Sequence, residues 1–184
     1  MKRQIQRRTV RAVAVAVIVS VVVAGAVLPS LAQEDPLPIA VELLTGRAEF
    51  TDDVAAQFKV KLGDGATNTL NLKDPSLTAV ARITVQPGAR FPWHTHPGPV
   101  IVNVAQGELV YVNANDCVHR AYPTETVFVD PGRGNVHTAY NRTDGVTVVF
   151  ATFFEVPATG PLTITAGVEE PADCQVEVGA HGSH

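Results

Sequence analysis

Alternation of apolar and polar residues through the middle of the chain predicts β-strands. From Leu77 to Val85, every second side chain on one face is apolar (Leu77, Ala79, Ala81, Ile83, Val85). Residues two apart in a strand point to the same side of a sheet, so this segment has one face suited to burial. Shorter runs predict further strands at 100–105, 108–113, 118–122, 126–129, 136–142 and 146–156, and weaker ones at 39–44 and 57–61.

Turn residues separate these runs. Gln106-Gly107, Asp130-Pro131-Gly132 and Asp144-Gly145 each fall between two predicted strands, and residues 62–75 are predicted to be a turn-rich connection. Many short strands with Gly and Pro between them are typical of an all-β sandwich or barrel. The chain shows no amphipathic helix longer than two turns, no internal repeat and no second domain.

The N-terminal region has the pattern of a secretory signal peptide. Residues 1–11 carry five basic residues and no acidic one, residues 12–28 are small and apolar apart from Ser20, and Ser30-Leu31-Ala32 suits cleavage after Ala32. An uncleaved membrane anchor is the alternative, because the apolar run approaches the length of about 20 residues that spans a bilayer. Arg7-Arg8 also partly resembles a twin-arginine signal.

These patterns predict four regions and an exported protein. They are a signal peptide at 1–32, a lead-in with the first strands at 33–76, a barrel core at 77–156, and a poorly patterned tail at 157–184. We expect the mature protein to be secreted, periplasmic or attached to the cell surface. The tail is expected to end in disorder, with no metal role for His181 or His184.

The charge and the cysteine content indicate which binding partners and which cellular compartment to expect. The full chain has a net charge of −4, and loss of the leader makes it more acidic. No basic patch with interleaved aromatic residues is present, so a nucleic-acid partner is not expected. Cys117 and Cys174 are the only cysteines. In an oxidising compartment we expect a disulfide between them, with a metal-ligand role for Cys117 as the alternative.

Three histidines are the candidate metal ligands. His94 and His96 are two residues apart, so in an extended segment both imidazoles face the same point, and His137 lies in a second Gly-rich stretch. Neutral imidazoles suit Fe, Mn, Ni, Cu or Zn better than Mg or Ca, and their spacing does not distinguish among these transition metals. His119 has no such motif around it and is expected at the surface.

Two motifs resemble those of the cupin family. Gly88, five residues, His94-Thr95-His96 and then Gly107 look like the first cupin motif, and Gly134-x-x-His137-x-x-x-Asn141 looks like the second. The resemblance implies an antiparallel double-sheet β-barrel of the jelly-roll type with His94, His96 and His137 as metal ligands. Many cupins add a glutamate to the three histidines, but Val100 and Ile101 stand at its position here.

The missing glutamate shapes the functional prediction. Three neutral histidines leave the charge of a divalent ion uncompensated and leave positions open for water, oxygen or an anionic chelating substrate. Three-histidine iron cupins include dioxygenases, so an oxygen-dependent oxidoreductase of small molecules is one hypothesis. A rescue by Glu108 or Glu125 is left open. Candidate residues of a substrate pocket are Trp93, Phe91, Arg90 and Tyr140.

Two other functions remain open at this point. One is a non-catalytic module that binds a small ligand or a metal, and the other is a metal-free cupin in which the histidines serve packing. Asn141 is expected to be a structural hydrogen-bonding residue. Because cupins often pair through sheet edges, the resemblance also implies a homodimer, with a small molecule as the other partner.

Overall fold

The computed structural model describes residues 37–63, 65–72 and 74–178. The predicted signal peptide, its alternative as an anchor, and His181 and His184 lie outside the described residues. Within them the regular structure is entirely β. The strands are β1 Ile39–Leu43, β2 Ala48–Glu49, β3 Ala56–Lys61, β4 Thr67–Leu72, β5 Leu77–Val85, β6 Val100–Gln106, β7 Glu108–Asn113, β8 His119–Pro123, β9 Thr126–Asp130, β10 His137–Tyr140 and β11 Thr147–Val156.

These strands form antiparallel sheets. The largest has six strands in the order β1-β5-β11-β6-β9, with β2 paired to β5. A second sheet has the order β10-β7-β8, and β3 and β4 form a separate hairpin. The predicted all-β, cupin-type double sheet is therefore confirmed. No helix long and apolar enough to cross a bilayer occurs in the described part of the chain.

The main core lies between the six-stranded and the three-stranded sheets. The apolar face of β5 that the alternation predicts contributes four buried side chains, Ala79 to Val85, and β7 contributes Leu109 and Tyr111 from the opposite sheet. Inward-facing residues of β6 and β11 complete this core: Val100, Val102, Val104, Val149, Ala151 and Phe153. One face of each strand is thus removed from water, and this burial is the main stabilising contribution to such a sandwich.

Residues 67–72 form β4, although the sequence predicts a turn-rich connection there. Thr67 to Leu72 pairs with β3 in register from Ala56↔Leu72 to Lys61↔Thr67. Leu70 and Leu72 are buried while the residues between and before them are exposed. The apolar signal in this strand is confined to these two residues, which is too little for the alternation pattern to stand out.

The poorly patterned C-terminal tail packs on the protein as far as residue 178, and Cys174 anchors it through the disulfide to Cys117. Cys174 and Val176 are buried against Trp93, Val110 and Val112. Val110 and Val112 point away from the main core, and the tail covers this second face of β7. Both faces of β7 are buried for this reason, which agrees with its unbroken apolar run from Leu109 to Val112.

Candidate metal centre

Backbone pairing brings two of the three histidines together. His94 and His137 form a reciprocal pair in which each backbone N–H donates to the carbonyl of the other, both at 2.9 Å. Residues paired in this way lie directly opposite each other with side chains on one face. Phe91 N–H also donates to the Ala139 carbonyl at 2.9 Å, so the irregular stretch 90–94 lies beside β10 and is joined to it by isolated bridges.

The third histidine is held against the others by a close approach of two loops. Arg133 N–H donates to the His96 carbonyl at 2.8 Å. Gly132, at φ +59°, lies so close to Gly98 that an added Cβ would sit 1.9 Å from the Gly98 oxygen. Glycine permits both this backbone conformation and this contact. Ring centroids are then 4.9 Å apart for His94 and His96, 4.2 Å for His94 and His137, and 5.1 Å for His96 and His137.

The hydrogen bonds of the three rings leave one nitrogen of each available. Nδ1 of His94 bonds the Pro92 carbonyl at 2.7 Å, Nδ1 of His96 bonds the Leu162 carbonyl at 2.8 Å, and Nδ1 of His137 bonds the Asn135 carbonyl at 3.2 Å. A carbonyl accepts only, so each Nδ1 carries a proton and, in a neutral ring, each Nε2 has a free lone pair. Metal-binding histidines in proteins use this same arrangement.

The site geometry fits a single divalent ion. One ligand atom from each of the three buried histidines lies within 4.8 Å of the others. Nitrogens that share one ion with bonds of about 2.1 Å lie about 3 to 4 Å apart, so small shifts complete the set. Burial lowers the pKa of His94 and of His137 to about 3, and it lowers the pKa of His96 as well. The rings are therefore neutral at physiological pH, as metal ligation requires.

A buried carboxylate, which the sequence analysis did not predict, lies beside the histidines. Asp130 is 2% exposed, with Oδ2 3.9 Å from Nε2 of His96 and Oδ1 3.4 Å from Nδ1 of His137. The Tyr111 hydroxyl and Asn135 Nδ2 each donate to Oδ1 at 2.9 Å. Burial raises the pKa of Asp130, while His96 and these hydrogen bonds act in the opposite direction. The expectation of three histidines without a nearby acidic residue is therefore wrong.

The sequence does contain a signal for this residue. Thr126, Phe128 and Asp130 share one face of β9, and Phe128 is in the core. An acidic residue in register with a core phenylalanine is a candidate for a buried functional group. Neither glutamate left open by the sequence is in this position: Glu108 pairs with Arg142 at 2.8 Å, and Glu125 is exposed.

An apolar cavity of about 110 Å³ opens beside the histidines. Of the four predicted pocket residues, Phe91 lines it, whereas Trp93, Arg90 and Tyr140 do not. Arg90 pairs with Glu170 at 2.8 Å, Trp93 packs under the tail, and the Tyr140 hydroxyl lies 2.8 Å from Nδ1 of His119. The lining is mostly aliphatic and aromatic, with the polar groups of the three histidines, Asp130, Tyr111 and Thr163.

The cysteines and Asn141 have structural roles. Cys117 and Cys174 form a disulfide that closes a sequence separation of 57 and fastens the tail to the loop before β8. Asn141 is fully buried, and its Nδ2 donates to the carbonyls of Val85 and Gly145 at 3.1 and 2.7 Å. It therefore closes the loop between β10 and β11 and ties that loop to the end of β5.

The fold and the site together define a class of protein: an antiparallel double sheet with a three-histidine candidate metal site between its layers. Residues 81–154 match the family model described as a cupin domain. This stretch of the chain is therefore similar to a cupin domain, and it contains all three histidines and Asp130.

One curated relative and several solved structures are similar to this chain. The (R)-mandelonitrile lyase of Granulicella tundricola is 36% identical over 66 residues, which is 36% of this chain and 50% of that protein. This chain thus spans about half the length of the curated relative. A cupin-like protein from Thermotoga maritima is 29% identical with a TM-score of 0.40, covering 43% of this chain and 58% of its own.

A more distant likeness covers more of the chain. KdgF from Halomonas sp. is 16% identical with a TM-score of 0.44, over 68% of this chain and 86% of its own. The DMSP lyase DddQ from Ruegeria pomeroyi is 19% identical with a TM-score of 0.43, over 50% of this chain and 45% of its own.

Proposed function

We propose that this protein is a divalent-metal-dependent enzyme that acts on a small, largely apolar molecule with one polar group. The observation that supports this is the cluster of three buried histidines, with one ring nitrogen of each within 4.8 Å of the others, in the wall of an apolar cavity of about 110 Å³. A closed cavity of about 150 Å³ holds benzene, so this smaller, open space suits a small molecule whose larger part reaches out of the mouth of the cavity. Fe, Mn, Ni, Cu and Zn remain the candidate metals.

The reaction class that we favour is cleavage of a carbon–carbon bond next to a hydroxyl group. The curated relative is a lyase of (R)-mandelonitrile, a cyanohydrin of an aromatic aldehyde. In such a cleavage the hydroxyl loses its proton, a carbonyl forms, and cyanide leaves with the electron pair of the broken bond and takes up that proton, so the products are an aldehyde and hydrogen cyanide. A bound divalent ion would act there as a Lewis acid on the substrate oxygen. The walls at Phe91, Phe128 and Phe153 would hold the apolar part of the substrate.

Oxygen-dependent oxidation of a small molecule, as in dioxygenases, is the second candidate function. Three histidine nitrogens leave several positions of an iron site open, which such chemistry needs. A non-catalytic cupin that only binds a ligand or a metal is compatible with the same site geometry. The experiment below distinguishes this function from the two enzymatic ones.

Metal analysis followed by two assays tests these proposals. We expect protein purified from cells grown with trace metals to contain about one divalent ion per chain by elemental mass spectrometry. Each metal-loaded form is then given mandelonitrile and smaller cyanohydrins while aldehyde and cyanide are measured, and an oxygen electrode follows candidate diols, diketones and thiols. Cyanide release without oxygen uptake supports the lyase, and oxygen uptake supports the oxygen-dependent oxidation. Metal without either activity supports the binding module, and absence of metal refutes the proposal.

Two histidine variants provide a matched control. His137→Ala removes a ring from the cluster, and we expect it to abolish metal binding and any activity. His119→Ala removes a ring that contacts Tyr140 and lies outside the cluster, so its metal content should stay that of the parent. Equal metal content in the two variants would show that the cluster is not the metal site.

We also propose that the protein is exported. The disulfide between Cys117 and Cys174 is typical of proteins from oxidising compartments, which agrees with the signal-peptide pattern in residues 1–32. Fractionation of the native host with N-terminal sequencing tests this. A protein that starts at residue 33 outside the cytoplasm supports cleavage after Ala32, one that keeps its N-terminus in the membrane supports an anchor, and a cytoplasmic protein refutes export. The homodimer stays a prediction from the family resemblance.

A further inference from the structure

This site lacks the glutamate of the cupin motif. The pairing of strands β6 and β9 shows where another carboxylate lies. Val100, where the glutamate of the cupin motif is missing, is the direct partner of Asp130 in the pairing of β6 with β9. Side chains of directly opposed residues in an antiparallel pair point to the same face. Asp130 therefore enters the cavity from the strand next to the one that carries the glutamate in the motif.

The hydrogen bonds of Asp130 distinguish its two oxygens. Oδ1 accepts from the Tyr111 hydroxyl and from Asn135 Nδ2, and it also lies near Nδ1 of His137. Oδ2 accepts only from Gly132 N–H at 3.2 Å, and it lies 3.9 Å from the metal-facing Nε2 of His96. The donors at Oδ1 orient the carboxylate, and Oδ2 keeps a lone pair on the side of the histidine nitrogens.

Burial makes the charged form of this residue costly unless a positive partner lies nearby. A carboxylate that is 2% exposed loses most of its hydration, and a full positive partner restores more of that loss than neutral donors do. No lysine or arginine is among the residues that line the cavity. A divalent ion on the three histidines would be the missing positive partner, and Asp130 in turn would offset the charge that three neutral ligands leave on the ion.

We propose that Asp130 is the carboxylate of the metal site and replaces, from strand β9, the glutamate that strand β6 lacks. This inference rests on the metal binding in the proposed function, and it adds a fourth protein group to that site. It also changes the chemistry expected from the sequence alone, since the ion has less uncompensated charge and fewer open positions than three histidines would leave.

Metal affinity measured by competition with a chelator tests the role of Asp130 without any activity assay. Asp130→Asn keeps the size of the side chain and removes its charge, and we expect it to weaken metal binding about 10- to 100-fold. Tyr111→Phe keeps the charge and removes one donor to Oδ1, so it should weaken binding by a clearly smaller factor. The absorption spectrum of the cobalt-substituted protein should change in Asp130→Asn and stay close to the parent in Tyr111→Phe.

A second substitution tests whether Asp130 acts by supplying a carboxylate to the metal or only by its effect on the surrounding structure. In Asp130→Asn combined with Val100→Glu, the carboxylate returns on β6, and metal affinity should recover at least about tenfold over the single Asn variant. Thermal unfolding of the metal-free proteins identifies any variant that is not folded.

The outcomes distinguish this inference from the proposed function. If the parent protein binds no divalent metal, the proposed function fails, and this inference fails with it. If the parent binds metal and Asp130→Asn binds it equally well with an unchanged cobalt spectrum, only the role of Asp130 is refuted. Equal losses in Asp130→Asn and Tyr111→Phe, or no recovery with Val100→Glu, would show that Asp130 only positions its neighbours, and this also overturns the inference.

Discussion

Replacement of Gly132 by alanine tests how the two histidine-bearing segments are held together. The Cβ of an alanine there would lie 1.9 Å from the oxygen and 2.5 Å from the carbonyl carbon of Gly98. Both contacts are with backbone, so no side-chain rotation relieves them. The loop that carries His96 must move away from the loop that leads to His137. Gly134→Ala is the matched control, because Gly134 also has positive φ, +84°, but a Cβ there meets nothing within 4 Å.

The expected magnitudes follow from these two environments. Left-handed backbone costs a non-glycine residue about 1–2 kcal/mol, and the loss of chain freedom in the unfolded state returns about 0.4–1 kcal/mol. Gly134→Ala should therefore lower the free energy of unfolding by about 1 kcal/mol. Gly132→Ala adds overpacking, which costs about 1–3 kcal/mol, for a total of about 2–4 kcal/mol. We also expect metal affinity to fall at least about tenfold in Gly132→Ala and to change little in Gly134→Ala.

Urea unfolding of the two metal-free variants and the parent measures the difference, with the denaturant slope checked for constancy. Chelator competition on the same preparations measures metal affinity. If the two variants unfold at the same urea concentration and bind metal equally well, the contact between Gly132 and Gly98 does not set the position of His96, and the reasoning is refuted.

Three further predictions concern the histidines, the disulfide and the buried amide. The pKa values of His94 and His137 are about 3 in the folded protein and 6.5 for the ordinary side chain, so the unfolded state binds more protons in between. The free energy of unfolding of the metal-free protein should therefore fall as pH decreases from about 6.5 towards 3, by up to about 1.4 kcal/mol per pH unit for each histidine. The raised pKa of Asp130 makes the free energy of unfolding change with pH in the opposite direction. The slope of the free energy of unfolding against pH is therefore compared between the parent and His94→Gln, and equal slopes would contradict the prediction. Cys117→Ser removes the disulfide that links residues 57 positions apart, and it should lower the free energy of unfolding by about 4 kcal/mol. Denaturation of the variant and of the oxidised parent measures this loss, and a loss below about 1 kcal/mol would contradict the prediction. Asn141→Ala removes the donor to the buried carbonyl of Val85 and to the partly buried carbonyl of Gly145. It should lower the free energy of unfolding by about 1–3 kcal/mol without loss of metal affinity, and a loss of both would place Asn141 in the site instead.

Much of the fold could be predicted because its signals are local. Apolar and polar residues alternate in β5, and β7 is a short apolar run that follows a turn. Both strands have the bounds that the sequence predicts. The spacing of His94 and His96 puts both rings on one side of an extended segment, whatever the rest of the chain does. The histidine motifs also indicate the family and the three members of the cluster.

The amino-acid sequence alone thus determined most of the strands, the resemblance to cupins and the three histidines, because each depends on residues close together in the chain. The tertiary structure decided what comes from distant segments. Asp130 is next to the site because β9 pairs with β6 in a register that places Asp130 opposite Val100. The sequence alone does not show which strand pairs with β6 or in which register. The Leu162 carbonyl that orients His96 comes from the tail, which also buries the outer face of β7. Contacts of this kind depend on which surfaces remain to be covered once the sheets have formed, so only the folded chain defines them.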